Sequence, residues 1–174
     1  PSFLLHDNTL ARPFISWEQK DRVDIILTNP PFGKKSSYKV VGEDGTVSTE
    51  RENYEREDFK FTTSNKQFNF LQHIMTILES NGRAGVVLPD NVLFEAGRAG
   101  EGIRKRLLEG FNFHTLLRLP TGIWYSPGVK ANVLFFDKRP ASREVQTKAL
   151  WVYDYRTNVH KTLKTKRLTN ADFD

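Results

Sequence analysis

No cysteine occurs among the 174 residues. A disulfide framework, a thiolate metal site and a cysteine nucleophile are therefore excluded. Cytosine C5 methylation, which needs such a nucleophile, goes with them. Histidine is nearly as sparse. His6, His73, His114 and His160 are scattered without ligand spacing, so no metal site is expected. No apolar run approaches the ~20 residues that span a bilayer. Phe3-Leu4-Leu5 is too short for a secretion signal and lacks a basic flank, so a cytoplasmic protein is expected. No internal repeat or low-complexity tract is visible.

A glycine-rich cofactor loop is also missing. Gly33-Lys34-Lys35-Ser36 has the look of a phosphate-binding loop's end, but Thr28 stands where the loop's first glycine belongs. Gly97-Arg98-Ala99-Gly100-Glu101-Gly102 lies some ten residues beyond the nearest expected strand. A dinucleotide fingerprint turns straight out of its strand, so this stretch reads as a flexible loop.

Positive charge is in modest excess: 26 Lys and Arg against 21 Asp and Glu, a net charge of +5. That balance permits an anionic partner such as nucleic acid. It fits equally a soluble domain that happens to be basic. The length suits one domain with a real core.

The most informative stretch is Asn29-Pro30-Pro31-Phe32, directly after Val23-Asp24-Ile25-Ile26-Leu27-Thr28. A β-branched run stopped by two prolines reads as a buried strand ending in a rigid turn. Open α/β sheets bind ligands at the carboxyl end of such strands. The chemistry fits methylation of a planar exocyclic amine, whose lone pair is delocalised into the ring. An amide oxygen and a backbone carbonyl accepting its two N–H bonds favour a pyramidal nitrogen with an exposed lone pair. The ring of Phe32 suits stacking on a base. The competing reading is a structural Pro-Pro turn.

Around this motif the pattern is α/β. Residues 34–64 mix both charge signs with almost no aliphatic cluster, and read as a long exposed loop. A helix should start near Ser64 with Gln67 completing a capping box. It continues through Phe68, Leu71, Ile74, Met75 and Leu78 and ends at Asn81-Gly82. Strands follow over 84–88, 113–119, 131–136 and 150–154, with a helix over 103–108. The strand–helix–strand unit from 23 to 88 predicts a parallel pair with a right-handed crossover. About ten residues separate the strands 113–119 and 131–136, too few for a crossover helix, so they should pair antiparallel. Trp124-Tyr125, in the turn between them, is a candidate wall for a base pocket. Lys34, Lys35 and Lys39 are candidate phosphate contacts; a solvated loop face is the other reading.

Leu27-Thr28-Asn29-Pro30-Pro31-Phe32-Gly33 resembles the catalytic motif of adenine-specific DNA methyltransferases. Residues 70–74, 82–94, 117–125, 128–136 and 151–158 resemble, as a set, the modification (M) subunit of type I restriction–modification systems. The resemblance covers roughly residues 1–160. It implies a partial Rossmann-like methyltransferase fold that uses S-adenosylmethionine, with a mixed sheet and an antiparallel edge hairpin. It implies methylation of adenine N6 in duplex DNA, with a specificity subunit, a motor-nuclease subunit and a second M subunit as partners. By the family pattern Asn29 and Pro30 hold the amino group, Pro31 shapes the turn and Phe32 stacks. Asp7 and Asn29 are the expected donor contacts. The donor-binding strand and turn are expected upstream of Pro1, and residues 161–174 read as a basic tail leading to a further C-terminal extension. The resemblance leaves open a methyltransferase acting on a protein glutamine or an RNA guanine, and a non-catalytic interaction fragment.

Overall fold

The computed structural model describes residues 8–13, 19–33, 37–41, 47–51, 54–124, 128–156 and 159–173, with backbone alone for 19, 37–41 and 47–51. Seven strands and three α-helices are present among them: β1 (Val23–Thr28), β2 (Ser37–Val41), β3 (Val47–Arg51), α1 (Lys66–Ile77), β4 (Leu78–Pro89), α2 (Asn91–Phe94), α3 (Arg98–Gly110), β5 (Asn112–Leu119), β6 (Ala131–Asp137) and β7 (Trp151–Asp154).

Five strands form one mixed sheet in the order β1-β4-β6-β5-β7. β1 runs parallel to β4, as the crossover predicts, and β5 pairs antiparallel with β6. β7 adds parallel to the outside of β5, so the hairpin lies one strand in from that edge. With β6 alone reversed, β1, β4, β5 and β7 all deliver their carboxyl ends to the same edge. That edge is where open α/β sheets bind ligands.

The core lies between one sheet face and the helices α1 and α3. Phe68, Leu71, Ile74 and Met75 of α1 and Ile103 and Leu107 of α3 meet Val86, Leu88, Leu134 and Phe136 of the sheet. The opposite sheet face differs from expectation at β1. Ile26 packs against the core, but Ile25 is 55% exposed and Leu27 79% exposed. β1 is thus an outer strand of the described sheet, buried on one side only, with an apolar groove of about 390 Å³ along Ile25, Leu27, Gly85 and Phe135.

Three further expectations are corrected. First, α1 is capped by Asn65, whose side chain accepts from the backbone N–H of Gln67 at 3.0 Å, and it stops at Ile77. The Ser64/Gln67 capping box does not form. β4 begins at Leu78, and Asn81, at a φ of 66°, sits inside it at an irregularity in its pairing with β1.

Second, the glycine-rich stretch is the first turn of α3. A Cβ on Gly100 would lie 2.6 Å from the Glu95 carbonyl oxygen, and one on Gly102 would overlap the Phe61 ring. These glycines allow close packing; they do not loosen the chain.

Third, residues 34–64 are not a plain exposed loop. β2 and β3 form an antiparallel hairpin. After it, Tyr54 and Phe59 are buried with Leu10, and the backbone of Phe61 pairs with the side chain of Gln72 in both directions, at 3.2 and 2.9 Å. The polar residues of α1 hold this segment in place. The exposed loop expected over 34–36, 42–46 and 52–53 lies outside the described residues.

The C-terminal segment is also anchored. Asp172 accepts from Tyr155 Oη at 2.8 Å and pairs with Lys161. Four converging hydrogen bonds, the one from Lys161 foremost, hold its carboxyl far below the usual range. No helix among the described residues is long and apolar enough to cross a membrane.

Candidate active site

β1 ends at Thr28, and the next four residues lie at the carboxyl edge of the sheet. Asn29 is exposed, Pro30 is buried, Pro31 is exposed and Phe32 is half-buried. The Asn29 side chain is exposed and makes no hydrogen bond to another described residue. Proline fixes φ at Pro30 and Pro31, which leaves little freedom in the backbone that presents Asn29 and Phe32.

The structure brings Phe32 and Trp124 together. Their ring centroids are 5.4 Å apart at an interplanar angle of 74°, an edge-to-face pair. Trp124 comes from the turn between β5 and β6, where Gly122 and Gly128 have φ of 90° and 75°. Its Nε1–H is sealed from solvent and has no acceptor among the described residues. Asp7, Lys34, Lys35 and Tyr125 lie outside the described residues, and Lys39 is described only as a backbone position in β2.

The same edge carries a charge network that sequence reasoning misses. Asp90, directly after β4, accepts from Asn132 Nδ2 at 2.7 Å and faces Arg118 and Arg156, each at 3.5 Å. Arg156 makes a two-pronged contact with Asp154, at 2.5 and 2.7 Å, and Arg118 is 3.8 Å from the same carboxylate. The hydrogen bond from Arg156 holds the Asp154 carboxyl below its usual range. Reciprocally, Asp154 raises the Arg156 pKa. Two carboxylates thus tie together the ends of β4, β5, β6 and β7. Beside them opens a cavity of about 370 Å³ lined by Thr121, Lys130, Arg156 and His160. The available signal was a lone asparagine, Asn132, inside the apolar run 131–136. A fully buried amide there requires partners.

A second buried polar cluster lies behind α1. Arg56 donates to both oxygens of Asp58 at 2.9 and 2.8 Å, to the Thr9 carbonyl at 3.1 Å and to His73 Nδ1 at 3.2 Å. Burial pushes the Asp58 carboxyl up, but hydrogen bonds from Arg56 and Thr76 outweigh it and hold the pKa low. No cluster of three or more metal-ligating side chains occurs among the described residues.

The N-6 DNA Methylase family model matches residues 3–174. The type I restriction enzyme EcoKI methylase subunit of Escherichia coli strain K12 is 44% identical over 146 residues, covering 82% of this chain and 25% of that protein. Its crystal structure superimposes with a TM-score of 0.71, covering 87% of this chain and 29% of that one. The Escherichia coli EcoEI methylase subunit is 39% identical over 177 residues, covering 99% of this chain and 32% of that protein. A Listeria monocytogenes protein assigned to the class I S-adenosylmethionine-dependent methyltransferases shares the fold, with a TM-score of 0.51 at 14% identity over 77% of this chain and 37% of that one. The chain spans about a quarter to a third of the length of these curated relatives.

Proposed function

The chain belongs to the N-6 DNA methylase family, and we propose that its Asn29–Phe32 turn receives an adenine for N6 methylation within the modification subunit of a type I restriction–modification system. The observation that carries this reading is the placement of an exposed asparagine and a ring-braced phenylalanine at the carboxyl end of β1. The target nitrogen is buried in duplex DNA, so the adenine is flipped out of the stack before it reaches the turn. There the Asn29 side-chain oxygen and the Pro30 carbonyl accept the two N6–H bonds. The lone pair is released from the ring, and Phe32 stacks on the base. No side chain acts as nucleophile.

S-adenosylmethionine supplies the methyl group when bound. Asn29, exposed at the carboxyl edge of a parallel pair, and Asp7, from the family resemblance alone, are the residues proposed to border such a donor. Duplex DNA, a specificity subunit, a motor-nuclease subunit and a second modification subunit are the proposed partners. This reading is favoured over a glutamine or guanine methyltransferase because the matched relatives are restriction methylase subunits.

The test is transfer of a labelled methyl group by the intact subunit, assembled with its DNA-reading partner, onto duplex DNA. Digestion of the product should give N6-methyladenine. Label recovered in methylguanine or in protein glutamine would assign the other substrate class. The absence of transfer alongside intact donor binding would favour the interaction module.

A further inference from the structure

We propose that Trp124 is a positioning residue that sets the ring of Phe32 for stacking on the flipped base. The proposal rests on the reading of Asn29–Phe32 as the adenine site. The two prolines fix the backbone ahead of Phe32 but not the rotation of its own side chain. Some neighbour must hold that ring, and the neighbour seen is Trp124, at 5.4 Å and 74°. Edge-to-face geometry at this spacing is the preferred arrangement of two rings and resists rotation of either.

Two further observations support this role. Its Nε1–H is buried without an acceptor among the described residues, although buried tryptophan N–H groups usually find one. Among the described residues the interaction seen for the indole is thus its ring contact with Phe32. In addition, the turn that carries it is braced from behind. Gly122 has a φ of 90°, and a Cβ there would overlap the Lys161 carbonyl oxygen. Ile123, the next residue, lines a cavity with Thr162, Leu163 and Leu168 of the C-terminal segment. That segment is fastened by Asp172 to Lys161 and Tyr155. The brace thus runs from the C-terminal segment through the turn to Trp124 and so to Phe32.

The experiment compares Trp124→Phe and Trp124→Leu in the intact subunit with its partner. It reads kcat, KM for DNA, donor affinity, and the emission of 2-aminopurine placed at the target adenine. Trp124→Leu should lower kcat by roughly three- to tenfold, the worth of one aromatic pair, with donor affinity unchanged. The flipped 2-aminopurine should emit more brightly, because its stacking on Phe32 is loosened. Trp124→Phe should restore both values. Wild-type rates in Trp124→Leu would overturn the proposal. Equal damage from Phe and Leu would also overturn it, by assigning the role to the N–H. If the wild-type protein itself makes no N6-methyladenine, the adenine reading fails first, which separates the two failures.

Discussion

Arg56 Nη1 donates to Nδ1 of His73 across 3.2 Å, and this single contact fixes the state of the imidazole. A guanidinium only donates, so Nδ1 is the acceptor and the ring proton resides on Nε2. Nε2 in turn faces Thr9 Oγ1 at 2.9 Å. The neutral histidine thereby ties residues 8–10, which follow Asp7 in sequence, to the helix behind the sheet.

This state predicts a pH dependence. Burial, with the Arg56 charge second, lowers the His73 pKa from 6.5 to about 4. Between these values the unfolded chain takes up a proton that the folded one excludes. Stability from this group is therefore full above about pH 6.5 and falls as the pH drops toward 4, by up to roughly 3 kcal/mol. The His73 ring followed by NMR should titrate near pH 4; titration near 6.5 would refute the buried network.

Gly100 tests packing against propensity. Alanine is favoured over glycine in a helix by about 1 kcal/mol. At this position its Cβ would meet the Glu95 carbonyl at 2.6 Å and Phe68 at 3.2 Å. Overpacking of this kind costs about 1–3 kcal/mol, so Gly100→Ala should destabilise. Hydrogen exchange across α3 checks this: faster exchange is expected, and slower exchange would mean that propensity wins.

The strand β1, its stop at two prolines and the antiparallel hairpin β5–β6 were legible because apolar runs and turn lengths speak directly to local structure. The first turn of α3 was not. Gly97, Gly100 and Gly102 argue for a loop, and only the contacts of Phe61, Phe68 and Glu95 show why small residues are required. The hairpin β2–β3 was announced by Tyr38-Lys39-Val40-Val41 and Val47-Ser48-Thr49 on either side of Asp44-Gly45, a hairpin signature hidden by the density of charge. At the candidate site, Asn29–Phe32 could be read as a motif. The pairing of Phe32 with Trp124, some ninety residues away, needed the fold, as did the meeting of Asp90, Arg118, Asn132, Asp154 and Arg156.

Phe32 should tolerate other flat rings. Phe32→Tyr and Phe32→Trp are expected to retain more transfer activity than Phe32→Ala, since base–aromatic stacking is worth about 1–3 kcal/mol. Steady-state methylation of a duplex oligonucleotide distinguishes them, and identical loss in all three variants would mean that stacking is not its role.

Lys34, Lys35 and Lys39 are proposed phosphate contacts. Replacing all three with alanine should weaken DNA binding and flatten its salt dependence, by a slope of up to ~0.9 for each phosphate no longer neutralised. Preference among DNA sequences should not change. Titrations at several salt concentrations read this out, and an unaltered slope would assign these lysines to solvent.

The central claim is that Asn29 accepts from the adenine amino group as the methyl is transferred. Its most direct measurement is single-turnover methylation by the intact Asn29→Ala subunit with its partner, beside calorimetric binding of S-adenosylmethionine to the same preparation. Interactions made chiefly in the transition state lower the rate far more than ground-state affinity. The predicted result is a loss of about a hundredfold or more in transfer with a much smaller loss of donor affinity, since Asn29 is one of several donor contacts. Transfer at the wild-type rate, or a loss matched by an equal loss of donor affinity, would contradict it.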